Sequence, residues 1–323
     1  MTTSHPSTCF IVNPTSASGR TGKSWAKTAA VLEQSLSGFS VKMTSAPLDA
    51  IRLTREALRE GHELIVSVGG DGTNNEVVNG FFDEQGEYIQ PNAMFSFFPS
   101  GTGGDLRRTL VPASTPQQLA DMILCGTCQD VDLGCAEVTL EDGSRCKRFF
   151  INIASFGLSG AVNENVRKTT KLLGGTIAFY IATVRAILGY NKPVVSLELE
   201  GGEEGTRTET GRISTVAVSN CTSFGGGMRV APHALPDDGL FDVVTLGDFG
   251  RFGLIIYGTK IYAGTHLSLK HVSDTQAHTV KATVLEPKDQ RVMIDLDGEN
   301  VGQLPASFSI LPKKLKFRHL PTS

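Results

Sequence analysis

Gly69-Gly70-Asp71-Gly72-Thr73 follows the apolar run Leu64–Val68 directly and leads into a segment carrying Val77, Val78 and Phe81. A short uninterrupted apolar run of this kind reads as a strand buried on both faces. Glycines at its carboxyl end permit a tight turn, and the spacing beyond them predicts a helix from near Asn74. A buried strand that turns straight into a helix constrains the chain to a layered α/β sheet. Its neighbours agree: Cys9–Asn13 and Phe39–Thr44 read as strands, Gly22–Ser35 and Leu48–Glu60 as amphipathic helices. Phe95–Phe98 is a further strand, ending in the second glycine-rich loop Pro99-Ser100-Gly101-Thr102-Gly103-Gly104-Asp105. In a mostly parallel sheet the two loops share the carboxyl edge, where ligands bind.

The character of the chain changes after the helix Thr115–Cys125, which Gly126 closes. Strands are expected at Val131–Thr139, Arg148–Ala154, Val194–Glu200, Ile213–Ser219, Phe241–Leu246, Ala277–Leu285 and Arg291–Asp297, separated by hairpin-type turns. Helical interruptions are expected over Gly174–Gly189 and Arg251–Ala263. The expected fold class is thus an α/β N-terminal nucleotide-binding type of domain with a mostly parallel sheet, then a C-terminal antiparallel β-sandwich-like domain. The boundaries fall at 1–130 and 131–304, and a length of 323 residues suits two domains.

Composition narrows the classes of function. Thirty-three acids against thirty bases give a net charge of −3, which excludes a strongly basic nucleic-acid binder. Six scattered cysteines make no disulfide framework. The N-terminus has no basic segment ahead of an apolar one, and no apolar stretch is long enough to span a bilayer, so a cytoplasmic location is expected. The basic tail Lys313, Lys314, Lys316, Arg318 and His319 reads as a solvated strand end, with contact to anionic lipid heads as the other use.

Several segments carry chemistry. The helix after Gly69–Thr73 presents free N–H groups to an anion, and Asp71 beside an anion calls for a cation or cationic side chain between them. Arg107 and Arg108 follow the second loop and are candidates to neutralise phosphate oxygens. Ala17 to Ser24 loosely matches a Walker A loop, but Ala replaces the first glycine, and Asp71, which would have to hold magnesium, stands in a Gly-Gly-Asp-Gly turn that is not the usual context. Asp237 and Asp238 lie in the constrained loop Pro236–Asp242 and suit a hard cation. Asp295, Asp297 and Glu299 stand at a strand end, each a candidate general base. Cys125 and Cys128 lack the second pair that a zinc site needs.

Together these segments resemble the diacylglycerol kinase-like catalytic family of bacterial lipid kinases, diacylglycerol kinases and sphingosine kinases. The resemblance runs in order through Asn13-Pro14-Thr15-Ser16, Gly69–Thr73, Gly101–Asp105, Phe224–Arg229, Pro236–Asp242 and Asp297-Gly298-Glu299. It implies an ATP- and magnesium-dependent lipid kinase with ATP in an interdomain cleft, and a final segment, 305–323, that returns to the first domain. By motif position, nucleotide contacts fall on Asn13, Thr15, Ser16, Thr44, Gly70, Asp71, Gly72, Thr73, Asn74, Asn75, Glu76 and Thr102. The resemblance implies a structural magnesium site at Asp238 with the carbonyls of Leu235 and Leu240. It makes Glu299 the general base and Asp71 the acid that places nucleotide and metal. The implied partner is a lipid substrate met transiently at a membrane surface, with no nucleic acid and with a homodimer open. An acyl-chain groove would draw on Phe156–Leu158 and the helix 176–188. Two departures stand out: Gly104 occupies a position where the family usually has Asn, and Ala17 one where it has Gly. A soluble-substrate kinase acting on NAD and a non-catalytic nucleotide-binding module are the other readings.

Overall fold

The alternation of strand and helix signals through Cys125 becomes a four-stranded parallel arrangement flanked by helices. The computed structural model describes residues 5–101, 103–160, 189–202, 205–287 and 290–321, the side chains of 251–256 excepted. Two compact units divide the chain: Met1–Leu133 with Lys313–Ser323, and Gly134–Pro312.

The first unit contains β1 (Thr8–Val12), α1 (Arg20–Ser35), β2 (Ser40–Met43), α2 (Asp49–Arg59), β3 (Leu64–Gly69), α3 (Asp71–Asn79), β4 (Met94–Pro99) and α4 (Pro116–Cys125). The strands lie in the order β2-β1-β3-β4, all parallel, with Phe10 opposite both Val41 and Val66. Since β2 lies on one side of β1 and β3 on the other, the winding reverses between β1 and β3. Such a switch opens a crevice at the carboxyl ends of the two strands. One face of the sheet packs Phe10, Val12, Leu64, Val66 and Val68 against Trp25 and Leu32 of α1 and Leu119 and Ile123 of α4. Thr115 caps α4 with a reciprocal bond to Gln118, as its Thr-Pro-Gln-Gln start dictates.

The second unit is antiparallel. β5 (Thr127–Thr139) runs across the division at Leu133 and pairs with β6 (Arg145–Phe150). β7 (Ile153–Gly157), β8 (Val194–Glu200), β9 (Arg207–Arg212), β10 (Thr215–Ser219) and β11 (Phe241–Leu246) follow, with α5 (Arg251–Ala263) after them. The last strands are β12 (Val272–Ala277), β13 (Thr279–Glu286), β14 (Met293–Leu296) and β15 (Glu299–His319). β15 pairs first with β14, through Glu299–Gln303, and then with β13, through Ala306–Ser309. Its residues Lys316 and Phe317, in the first unit, lie parallel to Met94 and Phe95 of β4. The core stacks Phe150 on Phe241 at 5.6 Å and Phe156 on Phe308 at 6.0 Å.

Three expectations need correction. The helix expected near Asn74 begins at Asp71, because the Asn74 N–H already bonds the Gly70 carbonyl at 3.0 Å. The single strand expected over Arg148–Ala154 is two, β6 and β7. They are separated where the Asp297 carboxylate takes the N–H groups of Ile151, Asn152 and Ile153, each at 3.0 Å. Ala277–Leu285 likewise divides between β12 and β13, and β9 was not anticipated, since its Arg-Thr-Glu-Thr-Gly-Arg sequence has no apolar face. Most of the helix expected over 174–189, and the groove helix 176–188, lie outside the described residues.

Candidate active site

Parallel pairing puts the ends of β1, β2, β3 and β4 on one edge of the first unit's sheet, and most of the predicted nucleotide contacts stand there. Asn13, just after β1, donates from Nδ2 to Thr73 Oγ1 at 3.0 Å and accepts the Thr15 N–H and hydroxyl through Oδ1. It thereby bridges the β1/β3 switch. Ser16 and Thr21 both donate to the Ser100 carbonyl, at 3.4 and 3.1 Å, and tie the first loop to the loop after β4. Thr44 directly follows β2, its N–H donating to the Val12 carbonyl at 2.9 Å. The glycines act through missing side chains: a Cβ on Gly101 would stand 2.6 Å from Gly70 Cα, so the two loops touch backbone to backbone.

Residues 70–76 divide by role. Gly70, Asp71 and Gly72 stay partly exposed at the edge, whereas Thr73, Asn74 and Asn75 turn inward. Ser67 donates to Asn74 at 2.8 Å, and Asn79 donates to Asn75 at 3.1 Å. Glu76 spends both carboxylate oxygens on the N–H groups of Leu48 and Ala50, at 3.0 and 3.1 Å, and so caps α2 and holds the segment after Thr44. Among the described residues no side chain caps α3, whose first N–H groups stand at the edge beside Asp71. Thr102 lies outside the described residues.

Asp71 organises the second loop. Its Oδ2 accepts the Asp105 N–H at 3.0 Å, and the backbone N–H groups of Leu106 and Gly104 lend its carboxylate further favourable field. Burial pushes the Asp71 carboxyl above its ordinary range, these backbone bonds draw it back, and the Asp105 charge adds to the rise. The Walker-like segment is built otherwise: Ala17, Ser18 and Gly19 take φ of 51°, 59° and 81°, and Lys23 points into solvent from α1. Ala17 thus adopts the left-handed conformation without a glycine, at a cost of roughly 1 kcal/mol.

In the second unit, the three acids around the β14–β15 turn separate by their bonds. Asp297 is buried and holds the three N–H groups that split β6 from β7, and Asp295 accepts the Gly298 N–H at 3.0 Å. Glu299, half-buried, opens β15 opposite Leu296. Asp238 is exposed and accepts the Leu240 N–H at 3.0 Å. Asp242 is 4% exposed with Oδ2 unpartnered, and it lines a cavity of about 560 Å³ with Arg207, His233, Asp274 and Gln276. Its carboxyl is pushed up to about 6, first by burial and then by the charges of Asp274 and Asp238. No three His, Cys, Asp or Glu side chains converge as a metal cage among the described residues. An ion at this loop would take carbonyl oxygens beside the Asp238 carboxylate, near the orphaned oxygen of Asp242. That donor set fits a hard ion such as magnesium.

Sequence reasoning names Asp297 as a candidate general base and passes over Thr21, the backbone-holding role of Asp297 and the capping role of Glu76. Their partners lie 79, about 145 and 26–28 residues away, so no local pattern announces them.

Comparison with known proteins covers both units. Residues 7–136 match the model of the diacylglycerol kinase catalytic domain, and residues 152–319 that of the YegS C-terminal NAD kinase β-sandwich-like domain. A diacylglycerol kinase of Bacillus subtilis is 29% identical over 312 residues, 96% of this chain and 94% of the relative. Among solved structures, a diacylglycerol kinase from Bacillus anthracis aligns with a TM-score of 0.69 at 18% identity, covering 99% of this chain and 98% of its own. Yeast NADH kinase complexed with NADH aligns with a TM-score of 0.56 at 12% identity, covering 99% and 84%. Likenesses at such identities show a shared fold.

Proposed function

The chain belongs to the lipid kinase family that joins a diacylglycerol kinase catalytic domain to a YegS-type β-sandwich domain, and from that premise we propose that it transfers the γ-phosphate of ATP, with magnesium, to the hydroxyl of diacylglycerol or a lipid of that class. The observation that carries the reading is the pair of loops fastened together at the β1/β3 switch, with the uncapped start of α3 between them. Backbone N–H groups there suit the anionic phosphates of a nucleotide. The names of the relatives support diacylglycerol as acceptor, with sphingoid lipids as the neighbouring class.

In this mechanism Glu299 takes the proton from the acceptor hydroxyl as its oxygen bonds the γ-phosphorus. The bond from that phosphorus to the β–γ bridging oxygen breaks, and ADP leaves with the electron pair. Asp71 holds the loop 103–106 in place, and Asn13, Thr15, Ser16 and Thr44 line the nucleotide's approach. Asp238 and the carbonyls of Leu235 and Leu240 would hold magnesium in the loop ahead of β11, and a magnesium ion carried by ATP would supply positive charge against the phosphates. No described helix is long and apolar enough to cross a membrane, so the lipid is met at the bilayer surface in this proposal.

The test is transfer of γ-labelled phosphate from Mg-ATP into mixed micelles of diacylglycerol, ceramide or sphingosine, with NAD as a soluble acceptor. Label is expected in diacylglycerol and should fall at least about a hundredfold in Glu299→Gln, the loss of a general base. Asp71→Ala should also abolish transfer. Label in NAD alone, or label in lipid that survives Glu299→Gln, overturns the assignment.

A further inference from the structure

Arg107 and Arg108 follow the β4 loop side by side, and the fold gives them different occupations. Arg108 Nε lies 3.5 Å from Asp105 Oδ1, on a carboxylate that is itself buried. Arg107 is exposed and has no hydrogen-bond or ion-pair partner among the described residues. Its guanidinium folds back over Gly104 instead. A Cβ built on Gly104 would stand 2.6 Å from Arg107 Nε and 3.1 Å from Cζ, so the guanidinium fills the space that a side chain at 104 would take. Gly104 also has φ of 65°, the left-handed conformation. The chain thus has a glycine where one is needed to seat an arginine.

The seat is significant because of what surrounds it. The N–H of Asp105, the residue after Gly104, donates to the Asp71 carboxylate at 3.0 Å, and Asp71 opens α3 at the edge where the loops meet. An anion there meets the favourable end of α3 and the unfavourable charge of Asp71 together. We propose that Arg107 binds the phosphate chain of the nucleotide, supplying the positive charge that lets an anion lie beside Asp71. A planar guanidinium offers paired N–H donors to phosphate oxygens, and Arg107 faces no carboxylate among the described residues, whereas Arg108 turns Nε to Asp105. This inference rests on the edge being the nucleotide site, as proposed above.

The experiment measures ATP and adenosine affinity by calorimetry on the full chain, so the lipid acceptor does not enter. Arg107→Ala should weaken ATP about tenfold, the scale of one charge-assisted contact, and leave adenosine binding unchanged. Arg107→Lys should recover part of the loss. Gly104→Ala displaces the guanidinium and also strains a left-handed backbone, so it should weaken ATP more in the wild-type background than in Arg107→Ala, a non-additivity expected of groups in contact. Melting temperatures of the same variants separate loss of binding from loss of fold. In turnover, KM for ATP should rise more than kcat falls. The inference is overturned if Arg107→Ala binds ATP as tightly as wild type, or loses ATP and adenosine alike. If wild-type protein binds adenosine but not ATP more tightly, or binds neither, the nucleotide reading of the edge fails and takes this inference with it.

Discussion

His266 has no exposed surface, and its two ring nitrogens stand in unlike surroundings. Nε2 lies 2.9 Å from the Val230 carbonyl, which fixes the proton there, while buried Nδ1 has no partner and the ring meets Tyr257 edge-on. Protonating Nδ1 would bury a charge and an unmatched donor. Burial therefore holds the imidazole below its ordinary value of 6.5, against the upward pull of Val230 and Asp274. With a folded-state value below the unfolded one, the unfolded chain binds more protons between the two. Stability is then full above the unfolded value and is lost as pH falls through the folded one. Urea unfolding at about pH 7.5 and about pH 5.5 should show that loss, and His266→Leu should flatten it. An equal slope in both proteins would count against the argument. The same scale shows what can be read from sequence alone. Gly70 and Gly101 are legible because their requirement is a backbone one, whereas His266, like Glu76 and Asp297, acquires its role from partners the chain supplies far away.

Helix α4 ends at Cys125 with no basic residue in its last turn, leaving carbonyls without the usual cationic neighbour. Arg318, from β15, supplies it. Nε donates to the Met122 carbonyl at 2.9 Å and one terminal nitrogen to the Ile123 carbonyl at 3.0 Å. The tail that reads as a run of solvated bases is thus partly a helix cap, and Lys314 lies over the Tyr88 ring at 4.8 Å. Arg318→Ala should cost about 1–2 kcal/mol, the value of hydrogen bonds from a charged donor with allowance for partial exposure. Urea midpoints for the two proteins check it, and an unchanged midpoint would mean that water replaces the cap at no loss. The elements themselves were legible where one face is apolar. α1, α2 and β3 appear within a few residues of their expected bounds, because burial selects the same positions that the sequence pattern marks. β9 was hidden because an edge strand exposed on most of its length needs no such pattern.

The first unit is discontinuous in sequence, and that follows from what β4 would otherwise expose. Without residues 313–319, β4 would present an unpaired edge bearing Phe95 and Phe97. Phe317 covers both, with ring centres 6.2 and 5.7 Å away, and Leu315 is fully buried beside it in sequence. An α/β beginning and a β-rich continuation were readable from the order of strand and helix signals. The return of the last strand came only with the family resemblance, since Leu315 and Phe317 alternate with lysines as any strand's residues would. The division of the chain at Leu133 and Lys313 makes a direct prediction. A fragment of residues 1–133 should fail to unfold cooperatively and should be cut rapidly by protease. The same fragment with 313–323 joined through a flexible glycine-serine linker should regain a cooperative transition, because the linker's closure entropy grows only slowly with its length. In that fusion Phe317→Ala should cost about 3–5 kcal/mol, the range for truncating a buried aromatic. A fragment of 1–133 that melts as cooperatively as the fusion would show that β4 tolerates its open edge, and that β15 is an addition to the sheet rather than part of its core.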